Sequence, residues 1–227
     1  MKLRSYEAFW LLKNGLMNSY PSLQEDIKCD VAVIGAGITG ALISHTLLKA
    51  GYNTVVIDNR DAAAGSSSAT TSMLQYEIDT PMIDLAEMVG EEGAVISYKA
   101  GVESLQMLED LIREENIDGG FGIKKSLQVS HSKENIAKLK EEYLFRKKHF
   151  FNVEWLSSEE IKERYKINSH DGILSAEGAS IDAFKFTHEL FYKNHKRGLR
   201  IYDHTEIKKI TYGDNVVIRT KNGNKIV

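Results

Sequence analysis

A single cysteine in 227 residues excludes an intrachain disulfide, and Cys29 sits at the head of an apolar run where a small packing residue is expected rather than a nucleophile. Seven histidines are scattered, and neither CxxC nor HExxH spacing occurs, so no metal centre is expected. Charge of either sign is barely in excess. The 29 Lys and Arg against 32 Asp and Glu give a formal net charge of -3, which leaves no electrostatic case for nucleic acid or an anionic membrane. Long apolar runs are missing as well, since none approaches the roughly 18 residues that cross a bilayer. Lys2 and Arg4 precede an apolar stretch, but Lys13 and Asn14 interrupt it before any small-residue cleavage site. A secretory leader is therefore not expected, and a cytoplasmic location is. The length suffices for one large or two small domains.

What the chain does have is concentrated in one stretch. Val31-Ala32-Val33-Ile34 reads as a buried parallel strand, and Gly35-Ala36-Gly37-Ile38-Thr39-Gly40 opens a helical pattern that runs to Lys49 and ends at Gly51. Gly35 permits a tight turn, Gly37 lets the backbone approach a diphosphate, and Gly40 lets helix and strand pack closely. Free N–H groups and the positive end of the helix dipole then face the phosphates. Asn53 to Asp58 reads as a second buried strand. Its terminal Asp58 lies at the spacing where a carboxylate accepts hydrogen bonds from a ribose 2′-hydroxyl and repels a 2′-phosphate. Both NAD and FAD open this way. The next segment, Ala62-Ala63-Ala64-Gly65-Ser66-Ser67-Ser68-Ala69-Thr70-Thr71-Ser72-Met73-Leu74, lacks the regular helix expected after an NAD-type opening. Its small hydroxyl side chains suit a phosphate or a flat ring better than they suit a flexible linker.

From Asp30 to Leu74 the chain resembles the FAD-binding start of the D-amino-acid oxidase superfamily, which includes glycine oxidase, sarcosine oxidase and the gamma-glutamylputrescine oxidoreductases. The lead-in Tyr6 to Leu23, with Trp10 and Tyr20-Pro21, resembles the arm of the putrescine-type members and of relatives that carry a Rieske domain. A later block, Glu177-Gly178-Ala179-Ser180-Ile181-Asp182 followed by Gly198 and Thr205-Glu206-Ile207, is also similar. The resemblance implies an α/β chain with a Rossmann-like FAD-binding domain of the GR2 type and part of an α+β substrate cap. It divides the chain into an arm (1–27), the FAD-binding domain (28–80 and 169–227) and the cap region (81–168). It also implies that FAD is held by Gly35, Gly37, Ile38, Thr39 and Gly40, and by Asp58 with Asn59 and Arg60. Ser66 and Ser67 would lie near the pyrophosphate, Thr71, Ser72 and Met73 would border the isoalloxazine, and the backbone near Ile207 would meet the adenine.

The implied activity is oxidation of an amine or amino acid C–N bond, with oxygen or a quinone or other electron-transfer partner as final acceptor and a homo-oligomer as a possible assembly. No acid, base or carboxylate clamp is assigned in this sequence. The readings that stay open are an NAD-linked dehydrogenase or a flavin-linked reductase of the two-dinucleotide type, against which the presence of only one GxGxxG stands, and a noncatalytic dinucleotide-binding or assembly module.

Elsewhere the pattern speaks of structure. Tyr6, Phe9, Trp10, Leu11, Leu12 and Leu16 predict an amphipathic helix that packs on its own protein or a second copy. A helical stretch runs from Pro81 to Glu115 with a break at Gly90 to Gly93, and Leu105, Leu108, Leu111 and Ile112 read as core. Lys124 to His131 alternates as a half-buried strand. Ser132 caps a charged helix to Lys148 whose Lys/Glu density predicts a solvated face, with His131 and Tyr143 at the surface. Val153 to Leu156 is extended, and Ser157 or Ser158 with Glu160 starts a further helix. Asp182 caps a helix that Gly198 stops, and Arg200 to Tyr202 is extended. Strands joined at Gly213-Asp214 and at a type I′ Asn222-Gly223 turn follow. Only Lys225-Ile226-Val227 remain for the last strand, which predicts an N-terminal portion of a longer protein with weak or absent turnover on its own.

Overall fold

The computed structural model describes residues 7–227, so the expectations placed on Lys2, Arg4 and Tyr6 lie outside the described residues. In chain order the elements are α1 (Phe9–Asn14), β1 (Val31–Ile34), α2 (Ile38–Lys49), β2 (Thr54–Ile57), α3 (Ser66–Ala69), β3 (Met73–Gln75), α4 (Met82–Val89) and α5 (Glu91–Glu115). There follow β4 (Gly122–Ile123), β5 (Ser126–Val129), α6 (Ile136–Lys148), β6 (Val153–Leu156), α7 (Ser158–Tyr165), β7 (Gly172–Ser175) and β8 (Gly178–Ser180). The last are α8 (Ala183–Lys196), β9 (Arg200–Tyr202), β10 (Ile207–Thr211), β11 (Val217–Thr220) and β12 (Lys225–Ile226). Two compact units emerge. The first holds the described residues up to Ser72 with Glu115–Gly120 and Asp182–Val227, and the second holds Met73–Glu114 and Phe121–Ile181. The arm is thus part of the first unit, while residues 73–80 and 169–181 fall in the second, unlike the boundaries drawn from the sequence.

In the first unit β1, β2 and β9 form a parallel sheet in the order β1-β2-β9, with Val31 opposite Thr54 and Val55 opposite Arg200. All four β2 residues are buried, as an apolar run in a parallel sheet requires. The parallel β1–β2 pair needs a crossover, and α2 supplies it. Asp182 caps α8 by accepting the Lys185 N–H at 3.0 Å. Phe184, Thr187, His188, Leu190, Phe191 and Asn194 then fall on its buried face at helical spacing. β10, β11 and β12 make an antiparallel meander. Of the Asn222-Gly223 pair only Gly223 has positive φ, +95°, so the turn is not type I′. The Gly223 N–H instead donates to the Thr220 carbonyl, and the Thr220 N–H to that of Asn224. The far side of the short β12 is met by the segment before β1, with Ile27 bridging Ile226.

Helix α1 lies on its own unit, but by its polar side. Trp10 Nε1 donates to the Thr70 carbonyl at 2.7 Å, and Lys13 and Asn14 both reach the Asp182 carboxylate. Phe9, Leu12 and Leu16 stay exposed, which corrects the expectation that this face packs on its own protein but not the alternative of a second copy: six residues form too short a helix to bury a stripe, and the cap carboxylate of α8 attracts the polar side.

His188 in α8 is buried edge-on to Phe184, and its Nδ1 lacks a partner. Burial pushes the imidazole down to about 4 from the usual 6.5. Between those values the unfolded chain binds a proton that the folded chain refuses, so His188 destabilises the fold increasingly as pH drops through that window. The stability of a His188→Phe variant should therefore vary less between pH 6.5 and 4 than that of the natural chain in urea titrations. Parallel pH profiles would remove the assignment.

The second unit contains two antiparallel sheets, in the orders β3-β8-β4 and β5-β7-β6. Its core gathers Tyr76, Met82, Tyr98, Leu139, Phe151, Val153 and Ile173, with Tyr76 and Phe151 stacked at 5.5 Å. The helical break after Pro81 is confined to Gly90, since α5 runs unbroken through Gly93. β5 does not alternate; all four of its residues are half-buried. Asn135, not Ser132, precedes α6 and makes no side-chain cap. The Lys/Glu-rich α6 is not wholly solvated either: Leu139, Glu142 and Arg146 are buried, and Tyr143 packs against the core beside Trp155. Ser157 does cap α7 through a complete capping box with Glu160.

Candidate functional site

β1 delivers the glycine loop at its carboxyl end, the edge of an open parallel sheet where ligands collect. The Gly35 N–H donates to the Ile57 carbonyl at 2.8 Å and so extends the β1–β2 pairing into the loop. Gly35 has φ +108°, a region that favours glycine. Gly37 is the extended N-cap of α2, and its missing side chain leaves the helix entrance open. Among the described residues the N–H groups of Gly37, Thr39 and Gly40 find no acceptor. The Ile38 N–H is met by Ser67 Oγ at 3.0 Å. An anion at this end of α2 would gain from several free donors and from the helix dipole.

Asp58 follows β2 and is half-buried. Its Oδ2 accepts the Ala36 N–H at 2.8 Å and its Oδ1 the Arg60 N–H at 2.9 Å, so the carboxylate braces the glycine loop. Each carboxylate oxygen can accept a second hydrogen bond, which leaves capacity for a sugar hydroxyl. Asn59 and Arg60 are exposed, and the Arg60 guanidinium lies against Gly65.

The Ser-rich segment is ordered rather than a linker. Its centre is the short α3, anchored by the Ser67 bond to α2 and by Ser68 Oγ donating to the Gly65 carbonyl at 2.8 Å. Ser66 and Thr71 are exposed, whereas Ser72 is buried with φ +57° and an unpartnered hydroxyl. A buried orphan hydroxyl beside a left-handed backbone is an unusual expense for a loop without a ligand. Met73 opens β3 in the second unit and is 68% exposed.

Sequence reasoning missed how the segment after β9 joins this site. The Asp58 N–H donates to the Tyr202 carbonyl at 3.0 Å, the Thr205 N–H donates to the Asp58 carbonyl at 2.7 Å, and His204 Nε2 lies 2.9 Å from Asp61 Oδ1. Ile207 follows as the half-buried first residue of β10, opposite Thr220. The structure therefore gathers Gly35 to Gly40, Asp58 to Arg60, Ser67 and the approach to Ile207 in one unit. The resemblance marks Thr205 to Ile207, but only a tertiary contact could reveal that the turn at 203–205 holds Asp58, which lies far from it in sequence.

Cys29 is half-buried with its thiol pushed up by burial, as befits a packing residue. No His/Cys/Asp/Glu group among the described residues could hold a metal ion, and no helix among them is long and apolar enough to cross a membrane. The second unit carries two clefts of about 370 and 300 Å³ that share Asp79, Pro81 and Gln128. His131 lines the larger while remaining exposed.

Comparison with known proteins adds the following. The family described as FAD dependent oxidoreductase (DAO) matches residues 30–227. Glycine oxidase of Geobacillus kaustophilus is 25% identical over 188 residues, covering 79% of this chain and 47% of its own. The putative Rieske 2Fe-2S iron-sulfur protein YhfW of Bacillus subtilis is 30% identical over 112 residues, 49% of this chain and 22% of that protein. Among solved structures, L-amino acid deaminase from Proteus vulgaris superposes with a TM-score of 0.74 at 16% identity, covering 94% of this chain and 55% of the deaminase. The chain spans less than half the length of each of these two curated relatives.

Proposed function

This chain belongs to the family of FAD-dependent oxidoreductases, and on that premise we propose that it forms the cofactor-gripping part of an enzyme that oxidises the C–N bond of an amine or amino acid. Family membership decides between the two dinucleotides that the glycine motif left open, in favour of FAD. The observation that carries the proposal is the set of unpaired N–H groups at the head of α2 beside the braced carboxylate of Asp58. Gly35, Gly37, Ile38, Thr39 and Gly40 would hold the diphosphate, with Ser66 and Ser67 alongside. Asp58, Asn59 and Arg60 would hold the ribose, and the backbone at Ile207 the adenine. Thr71, Ser72 and the next residue in sequence, Met73, would border the ring, where the orphan hydroxyl of Ser72 is available as a donor.

Bound FAD supplies the hydride-accepting chemistry. The chain's own share is to fix the diphosphate through backbone donors that need no reorganisation, and to fix the sugar through a carboxylate already held at both oxygens. The substrate loses a hydride and a proton to give an imine, which water hydrolyses, and oxygen or a quinone-type partner takes up the electrons. The fold alone is shared among many chemistries, so the C–N substrate class rests on the family.

Reconstitution with FAD should give a yellow protein absorbing near about 450 nm. Anaerobic addition of amino acids and polyamines to the full-length protein should bleach that band. A colourless protein would sink the cofactor site, whereas a yellow one bleached by no amine would sink only the substrate class.

Gly37→Val tests the grip directly. A Cβ at Gly37 would already lie 3.3 Å from Ser67 Oγ, and the branched side chain would crowd both that hydroxyl and the diphosphate. The expected result is a loss of FAD affinity of about tenfold or more, roughly 1.4 kcal/mol. Undiminished flavin content in a folded variant would count against the site.

A further inference from the structure

We infer that Asp203, together with Thr205, is a positioning residue for the adenosine end of the cofactor, locking the arm segment Tyr20–Leu23 and the loop after β2 into one arrangement around Asp58. The inference rests on the FAD reading above. Asp203 directly follows β9, at the carboxyl end of the parallel sheet, and is fully buried. Its Oδ2 accepts the Tyr20 N–H at 3.0 Å, and the Ala62 N–H also faces the carboxylate. Its backbone carbonyl accepts from Thr205 Oγ1 at 2.8 Å, and the same hydroxyl accepts the Leu23 N–H at 3.0 Å.

The direction of these bonds matters more than their number. From the three-residue turn Asp203-His204-Thr205, hydrogen bonds reach two outside segments. Toward the arm they reach Tyr20 and Leu23. Toward the loop after β2 they reach the Asp58 carbonyl and the Asp61 carboxylate. Asp58, whose side chain braces the glycine loop, thus has its backbone held on both sides: its N–H by Tyr202 at the end of β9 and its carbonyl by Thr205 of the turn.

The turn is also kept at a cost. His204 has φ +45°, and Asp203 Oδ1 is buried without a hydrogen-bond partner. Burial raises the Asp203 carboxyl, with Asp61 adding to the rise and His204 opposing it. A buried carboxylate is costly unless its acceptor role is used. Here that role ties the arm to the end of the sheet that presents Asp58.

The test compares Asp203→Leu, similar in size but without an acceptor, with Asp203→Asn, whose carbonyl can still accept the Tyr20 N–H. Affinities of the full chain for FAD and ADP would be measured by calorimetry in the natural and Asp58→Ala backgrounds. Asp203→Leu should weaken both ligands about tenfold, in line with loss of a hydrogen bond to a charged group, and Asp203→Asn should restore most of it. In the Asp58→Ala background the same change should matter by no more than about twofold, because the two residues act in series. An equal loss in both backgrounds, or no loss in a folded Asp203→Leu protein, overturns the inference. If Asp203→Leu does not fold, Thr205→Val serves instead: it removes the hydroxyl between Leu23 and Asp203, and unchanged ADP affinity overturns the inference equally. A natural chain that binds neither FAD nor ADP overturns the cofactor reading itself, which is a separate failure.

Discussion

Replacing Arg146 with methionine should cost the second unit about 3–5 kcal/mol, read as a large fall in the urea midpoint with an unchanged slope. The arginine side chain is 1% exposed. Its Nε donates to Glu142 Oε1 at 2.6 Å and its Nη2 to Gln128 Oε1 at 3.1 Å, Nη1 lies 3.5 Å from Glu77 Oε1, and Tyr98 covers it at 5.5 Å. Glu142 is as deeply buried, and both its oxygens also accept from the head of α4, from the Met82 and Ile83 N–H groups at 2.9 Å each. One arginine therefore neutralises a carboxylate that is pinned to another helix and cannot turn out into water. Methionine would match the aliphatic stem but leave that charge behind. The penalty is the uncompensated Glu142, so Arg146→Met combined with Glu142→Gln should recover a substantial part of the loss, the amide carbonyl still accepting one of the α4 donors. A single variant with the natural midpoint, or a double variant no more stable than the single, would show that the pair is not the keystone of this core.

That pair also marks where the sequence stops being informative. Glu142 and Arg146 stand four apart in a run crowded with Lys and Glu, a spacing that on most helices means a solvated ion pair worth little. Their burial is decided by Gln128 in β5, Glu77 and the head of α4, all brought in from elsewhere in the chain. By contrast the β1–α2–β2 unit was legible because both strands are continuous apolar runs and the turn between them needs glycine. The capping box at Ser157 and the cap at Asp182 were legible because a cap is a local contact within a few residues, although the same reasoning misplaced a cap at Ser132. Within the candidate site the glycines and Asp58 could be read from spacing alone. The Ser67 bond to the head of α2, and the turn at Asp203 to Thr205 that holds Asp58, join segments far apart in the chain. No periodicity carries that information. The arm was half legible: its helix follows from its pattern, but its orientation depends on Asp182, 168 residues from Asn14.

Gly40→Ala should be the most damaging change of one methyl group in the first unit. A Cβ there would collide with the Gly35 carbonyl oxygen and sit 3.1 Å from the carbonyl carbon, with Val33 Cγ1 at 3.6 Å. The obstructing atoms belong to the backbone, so no rotamer change relieves the clash; α2 must move away from β1 or the glycine loop must open. Alanine would gain about 1 kcal/mol of helix propensity. Overpacking in a close-packed site costs about 1–3 kcal/mol and here falls on main-chain atoms, so the net effect should be destabilising. The same change at Gly93 in α5 is the control, because there the obstruction is the Val89 side chain at 3.1 Å, which can yield. Stability at Gly93 should hold or rise slightly as propensity prevails. Cofactor binding should suffer more than stability at Gly40, since displacing α2 redirects the N–H groups of Gly37, Thr39 and Gly40 that would face the diphosphate. A loss of about a hundredfold in FAD affinity, roughly 2.7 kcal/mol, is the expected result. Wild-type affinity together with a wild-type urea midpoint would mean that the loop does not rest on α2 as the structure has it. The phosphate site built on that contact would go with it.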